Sequence, residues 1–302
     1  MGDLPLTEAA NKLEDLSGIV IKPGDNPYTA FIEACHDDCK EIQTLYAAHR
    51  TKRNLQQRDK FLSPDFKELV VDQHLLGLET QPGFRDERNC MTLWARPPEH
   101  ILKLAAKLQD ELKAQAPTFC KTPQQIGALV QTLGPAIPSI TSYTRWHRSR
   151  LVKPMISYDL SAFAVSFLPA SGEPPASPPA TEPDVTEGVI RDDAYTYHHL
   201  RRDVFGLVQG SGVEVGSRYQ VPSAHITLGR YLGHADHDTP EKRRAWVDAI
   251  DRVNAWLEKE VWDLADADFV GEWIVGQEKG LDARNGTVWY GGGRTILMGE
   301  GF

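Results

Sequence analysis

The stretch Pro222-Ser223-Ala224-His225-Ile226-Thr227-Leu228-Gly229-Arg230-Tyr231-Leu232 alternates between apolar and polar side chains. Alternation with a period of two is typical of a β-strand that is buried on one face only. The apolar face is predicted to carry Ala224, Ile226, Leu228 and Leu232, interrupted by Arg230. The opposite face is predicted to carry His225, Thr227, Gly229 and Tyr231.

The polar face of this strand presents an imidazole and a hydroxyl side by side. Residues two apart on a strand project to the same side, roughly 6.6–6.8 Å apart along the chain. A hydroxyl donates to a phosphate oxygen, and an imidazole transfers a proton near neutral pH. His225 and Thr227 are therefore candidate catalytic residues, with Gly229 leaving room for a ligand. A His-x-Thr triplet is short, so, taken alone, it is better explained as part of a solvated strand face.

The rest of the chain predicts a mixture of strands and helices, an α+β fold. Strands are expected at residues 91–95, 161–168, 224–232, 269–276 and 287–298, the last two as a hairpin. Helices are expected at 27–58, 99–115, 122–133, 193–210 and from Thr239 onward. Both halves thus contain a strand, a helix and a second helix opened by a Thr-Pro pair. The first half has only 116–121 between its helices, which is too short for a strand with turns.

Composition limits the kinds of partner. The chain of 302 residues has a net charge of −9, the wrong sign for a protein that coats duplex DNA. It has no apolar run long enough for a membrane span and no secretory signal at its start. Its four cysteines are too few for a disulfide scaffold, so a cytoplasmic setting is expected, with the nucleus left open.

Two segments are predicted to be flexible. Residues 1–25 are polar and form an entry segment, and residues 169–188 contain six prolines among small and acidic residues. Such composition buries too little apolar surface to order itself. Residues 26–302 are then expected to form one domain.

Several longer stretches resemble the two-histidine phosphoesterase superfamily, and within it fungal proteins described as RNA ligase/cyclic nucleotide phosphodiesterase family members. The stretches that carry the resemblance are Asn26-Pro27-Tyr28, Phe61 to Phe66, Trp94 to His100, Arg150 to Pro154, Pro222 to Leu232 and Glu272 to Phe302. The resemblance implies a bilobal fold in which each lobe contributes a strand with His-x-Thr or His-x-Ser to a central groove. Here the lobes would be about 60–150 and 151–302, with two antiparallel sheets flanked by helices.

The resemblance also implies the chemistry. The expected activity is phosphodiester hydrolysis of a 2′,3′-cyclic nucleotide or an RNA-terminal cyclic phosphate, with no metal and no organic cofactor. His225 and Thr227 match the second motif, whereas the first should lie in 116–121, which has no histidine. Either the segment that carries the first motif is missing from the gene model, or the protein itself has lost that motif. A chain with one motif is expected to be weak or inactive, and a binding protein for nucleotides or RNA ends is the alternative.

Other residues are weaker candidates. His147 and Ser149 form a further His-x-Ser triplet, although a solvated basic loop is the simpler explanation. Arg150 and Lys153 in the same run could contact phosphate. Tyr231 could line the groove or pack in the core. Tyr290, next to Gly291-Gly292-Gly293, could stack on a base, while the glycines more simply mark a kink in a hairpin.

Overall fold

The structure is a computed structural model that describes residues 18–20, 26–117, 119–120, 134–176, 192–213, 215, 220–264 and 267–302. Its helices are α1 (Pro27–Ala34), α2 (Cys39–Leu62), α3 (Gln73–Thr80), α4 (Glu99–Lys113), α5 (Ile137–Thr141), α6 (Tyr197–Gly210) and α7 (Pro240–Glu260). Its strands are β1 (Cys90–Trp94), β2 (Phe119–Cys120), β3 (Arg150–Tyr158), β4 (Ala162–Pro169), β5 (Ala224–Tyr231), β6 (Trp273–Ile274), β7 (Lys279–Gly286) and β8 (Arg294–Glu300). Short 3-10 helices span Tyr143–Arg145 and Trp289–Gly291.

The predicted α+β class is confirmed, with two antiparallel sheets flanked by helices. One sheet has five strands in the order β2-β5-β4-β3-β6, and the other has three in the order β1-β7-β8. Each sheet draws on both halves of the chain, because β1 pairs with the C-terminal strand β7 and β2 pairs with β5. Strands from both halves of the chain therefore share each sheet.

The five-stranded sheet buries one face in the main apolar core. Side chains of α4 and α7, including Leu108 and Trp246, pack there against Phe163 and Val165 of β4 and Leu228 of β5. The opposite face meets α1 and the first turns of α2, whose Phe31 and other apolar residues pack on Leu168 of β4. Because His225 pairs with Ser166, two residues from Leu168, the predicted motif lies on this second face.

Local sequence explains where the helices begin and end. Asn26, Asp38 and Thr239 each accept a backbone N–H at the start of α1, α2 and α7, and Pro240 occupies the first turn of α7. The single helix expected over 27–58 is broken, because His36 and Asp37 adopt positive φ angles between α1 and α2.

Three predictions about strands need correction. The basic run from Arg150, expected as a loop, is strand β3. The C-terminal hairpin is β7–β8, and the strand expected over 269–276 is reduced to β6, which pairs with β3. The interval 116–121, expected to hold no strand, contains the two-residue β2.

The predicted helix over 122–133, nearly all of segment 1–25 and residues 177–188 of the proline-rich segment lie outside the described residues. Within the described ranges, no helix is both long and apolar enough to cross a bilayer.

Candidate active site

Strand β5 places His225 and Thr227 as the sequence predicts. Both side chains are exposed, while Ala224 and Leu228, which flank the pair along the strand, are almost completely buried. The imidazole and the hydroxyl therefore project from the same open face of the five-stranded sheet, the face to which α2 contributes Arg50 and Arg53.

A β-bulge changes the second half of the strand. Thr227 pairs with Ala164 and Gly229 pairs with Phe163, so Leu228 is an additional residue in β5. The carbonyl that the bulge frees accepts a hydrogen bond of 2.7 Å from Nε2 of Gln109 in α4. Beyond the bulge, every side chain points to the opposite face from the one that simple alternation predicts.

The bulge overturns the predicted position of Tyr231. This side chain does not share the face of His225; it is buried in the core, where its ring lies near Phe163 and Trp246. Arg230, predicted to interrupt the apolar face, instead turns toward the His225 side, where its charge acts on the imidazole. A glycine inside a strand is a recognised signal of a bulge, so Gly229 offered a clue to this change.

His225 is held as a neutral imidazole. Surrounding protein displaces water that would solvate the imidazolium, and this effect together with the charges of Arg201, Arg230 and Arg53 lowers the His225 pKa to about 4, against the opposing effect of Asp159. Oγ of Ser223 lies 3.2 Å from Nδ1 of the ring. The neutral ring can accept a proton.

The three arginines that act on His225 come from three separate elements: Arg53 from α2, Arg201 from α6 and Arg230 from β5. Arg53 bonds Asp159 at 2.9 Å, and Arg201 donates to the Tyr46 hydroxyl and to the carbonyl of Val221. Among the described groups whose charge acts on the imidazole, the arginines outnumber the carboxylates, which favours an anionic ligand beside the ring. Local sequence patterns did not assign Arg53 and Arg201 to this site, because the packing of their helices is what brings them to β5.

Arg50 adds a further buried cation under this face. Only 8% of the residue is exposed, and Nη1 donates to the carbonyls of Lys153 at 2.7 Å and Ser166 at 3.3 Å. No carboxylate among the described residues forms an ion pair with it, and burial lowers its pKa to about 10. A buried cation without a paired anion also favours negative charge nearby.

Arg150 and Lys153, predicted as phosphate contacts, are engaged in ion pairs. Arg150 bonds both carboxylate oxygens of Asp193, at 2.9 and 2.7 Å, and pairs with Glu272. Lys153 Nζ lies 2.6 Å from Glu173, whose carboxyl pKa falls to about 2 against the opposing effect of desolvation. These cations already have anionic partners within the protein.

His147 and Ser149, the alternative second motif, are not brought to His225. They precede β3, which is separated from β5 by the intervening strand β4. The His147 ring stacks on Tyr143 with a centroid separation of 3.9 Å, and Ser149 is buried. Within the described residues, the structure therefore assembles His225 and Thr227 without this pair.

Tyr290 lies in the turn between β7 and β8. Its hydroxyl donates to Asp72 and accepts a hydrogen bond of 2.8 Å from Arg88. The glycines that follow it belong to the same turn, so the hairpin explanation of Gly291-Gly292-Gly293 agrees with the structure. Arg230 lies 5.6 Å from the Tyr290 ring, which connects this turn to β5.

No family model, no curated protein and no solved structure matches this chain.

Proposed function

We propose that the protein is a phosphodiesterase of the two-histidine type that hydrolyses a 2′,3′-cyclic nucleotide or an RNA-terminal cyclic phosphate. One observation supports this most directly: His225 and Thr227 project from one open strand face on which three arginines act. This set combines a proton acceptor, a hydroxyl donor and positive charge, which are the groups that attack on a phosphate diester needs. The bilobal fold of that superfamily is part of the same proposal.

His225 would act as the general base. With its pKa lowered to about 4, the ring is neutral near pH 7 and can take a proton from the attacking water. Thr227 would donate its hydroxyl proton to a non-bridging phosphate oxygen. Arg53, Arg201 and Arg230 would stabilise the negative charge that grows on the phosphoryl oxygens as the bond to water forms.

The departing ribose oxygen also needs a proton, and one imidazole is badly placed to supply it. In an in-line displacement the attacking and leaving oxygens lie on opposite sides of phosphorus. A second acid normally contributes about 10²–10⁴-fold to the rate. Because His147 lies elsewhere, we expect turnover to be slow, and a non-catalytic protein that binds nucleotides or RNA ends is the second candidate.

The test is hydrolysis of 2′,3′-cyclic nucleotides by the purified protein and by His225→Ala. We expect slow turnover that falls by at least about 10²-fold in the variant, the usual contribution of one general base. His36→Ala is the matched control, because His36 is an exposed histidine in the turn between α1 and α2. Turnover that survives in His225→Ala would rule out His225 as the base.

Binding measurements separate the two candidates. Titration with a nucleoside monophosphate should show binding in either case. Binding that depends on Arg230, together with no detectable hydrolysis, would establish the non-catalytic function. Absence of both binding and hydrolysis would contradict both candidates.

A further inference from the structure

We propose that the turn between β7 and β8 forms a stacking site for bases that precede the terminal phosphate, so that the substrate is the end of a single-stranded RNA rather than a free mononucleotide. This inference rests on the proposed function. It concerns four side chains, Trp289, Arg88, Tyr290 and Arg230, which we call the arginine–aromatic ladder.

The members of the ladder alternate between cation and ring. The guanidinium of Arg88 lies 5.1 Å from the Trp289 ring centroid and 5.6 Å from that of Tyr290. The guanidinium of Arg230 lies 5.6 Å from the Tyr290 ring. These separations are typical of cation–π contacts. Trp289, at the outer end, is 39% exposed, so part of its ring is open to solvent.

The ladder is held rigidly by the surrounding protein. Tyr290 adopts a left-handed backbone conformation, with φ of 60°, and its hydroxyl is fixed by Asp72 and Arg88. Arg88 also bonds both oxygens of Asp86, at 2.9 and 2.7 Å. A non-glycine residue in this conformation is strained and persists only where the surroundings fix it. Rigid placement lowers the entropy cost of binding a ligand.

The ladder continues from the candidate active site. Arg230 belongs to β5, three residues after Thr227, and its charge lowers the pKa of His225. Three residues of strand span about 10 Å. A ligand whose terminal phosphate lies at His225 and Thr227 would therefore extend along Arg230 toward Tyr290 and Trp289.

The chemistry of the ladder matches a single-stranded polynucleotide. Aromatic rings and guanidinium planes stack on unpaired bases, and guanidinium groups also bind the phosphates between them. A duplex hides the faces of its bases, and the net charge of −9 opposes binding of duplex over a broad surface. An exposed tryptophan that is joined through Arg88 and Tyr290 to Arg230 at the candidate active site thus favours unpaired RNA as the ligand.

The test compares Trp289→Ala with Trp146→Ala. Trp146 is 43% exposed and lies 5.6 Å from the guanidinium of Arg145, so it is a matched arginine-stacked tryptophan. Arg145 pairs with Glu300, which faces Lys279 at the end of the β7–β8 hairpin opposite the turn. The substrates are a 2′,3′-cyclic mononucleotide and single-stranded oligoribonucleotides of increasing length with the same cyclic end.

We expect Trp289→Ala to raise KM for the oligonucleotides roughly 5- to 150-fold, the effect of losing one stacked base. Hydrolysis of the mononucleotide should be unchanged, and Trp146→Ala should behave as the unsubstituted protein with every substrate. A ratio of oligonucleotide to mononucleotide efficiency that Trp289→Ala leaves unchanged would overturn the inference while leaving the proposed function intact.

Binding measurements distinguish failure of the stacking site from failure of the proposed hydrolytic activity. Oligonucleotides with a terminal 3′-phosphate, which cannot be hydrolysed as cyclic esters, are titrated against both variants by fluorescence anisotropy. Loss of affinity in Trp289→Ala alone supports the stacking site even if no substrate is turned over. Equal loss of inorganic polyphosphate binding in that variant would show that charge, and not base stacking, holds the ligand.

Discussion

The molecule contains two clusters of positive charge that look alike in composition and differ in their partners. Around His225 lie Arg53, Arg201 and Arg230, and Arg53 forms an ion pair with Asp159. In the second cluster, Arg150 forms ion pairs with Asp193 and Glu272, and Lys153 forms an ion pair with Glu173.

The difference teaches that the surrounding carboxylates, and not the number of basic residues, decide which cluster can bind an anion. The Arg150 cluster is internally neutralised, and its ion pairs join β3 to Glu272 beside β6, to Glu173 after β4 and to Asp193 before α6. Among the described groups whose charge acts on the His225 imidazole, three are arginines and one is a carboxylate. The following predictions test this contrast, beginning with the largest expected effect.

Removing the charge of Arg150 should destabilise the fold severely. Arg150→Met leaves the mostly buried carboxylates of Asp193 and Glu272 without their cation. Breaking a buried pair from one side typically lowers the free energy of unfolding by about 3–5 kcal/mol. Arg230→Met is the matched variant in the other cluster, and it should cost less than about 1 kcal/mol. Urea denaturation of the two variants measures both values, and equal losses would refute the contrast.

A buried histidine on the core side of β5, His237, makes the stability of the fold depend on pH. His237 is buried among the rings of Phe61, Tyr231 and Trp246, and desolvation lowers its pKa to about 4. Between pH 6.5 and 4 the unfolded chain binds a proton that the folded protein excludes. Stability from this site is therefore complete above pH 6.5 and is lost as the pH falls toward 4, by about 3 kcal/mol.

His237→Leu should remove this acid sensitivity. Unfolding free energies are measured near pH 7 and near pH 4, and the difference between them should shrink in the variant. His36→Leu is the control, because His36 is fully exposed and its ion pair with Glu41 raises the pKa instead. An unchanged pH dependence in His237→Leu would mean that other groups cause the acid unfolding.

Much of the fold could be predicted from local sequence, because the signals were local. Strand β5, helix α4 and the start of α7 follow from alternation, helical periodicity and the Thr239-Pro240 cap. Strand β7 was missed because Asp282 and Arg284 look like surface residues; they are buried because Arg96, far along the chain, pairs with Asp282.

The candidate site was predictable only in part, for the same physical reason. His225 and Thr227 share a face through simple alternation. Arg230 changes face because a bulge forms, and that bulge depends on a partner in α4, Gln109, as well as on Gly229. Arg53 and Arg201 reach the site through helix packing, which no local pattern encodes.

Ligand binding sharpens the comparison of the two clusters directly. Arg230→Met should weaken binding of a nucleoside monophosphate by roughly 10- to 100-fold, the effect of one charge-assisted hydrogen bond. Lys153→Met should change it by less than about twofold, because Lys153 is already paired with Glu173. Calorimetric titration at one fixed salt concentration measures both. A loss in Lys153→Met that equals the loss in Arg230→Met would place the anion in the other cluster.

The smallest effect is expected from Ser223, which touches His225 without carrying charge. Its Oγ lies 3.2 Å from Nδ1, so the hydroxyl orients the ring and biases which nitrogen holds the proton. Ser223→Ala should lower turnover only about fivefold, the effect of one neutral hydrogen bond. Nitrogen chemical shifts of labelled histidine report the tautomer of His225 whether or not the protein turns over substrate. We expect one tautomer of His225 in the unsubstituted protein, a mixture of tautomers in Ser223→Ala, and a return to one tautomer in Ser223→Thr. An unchanged spectrum in Ser223→Ala would show that the arginines and the surrounding protein alone fix the state of the imidazole.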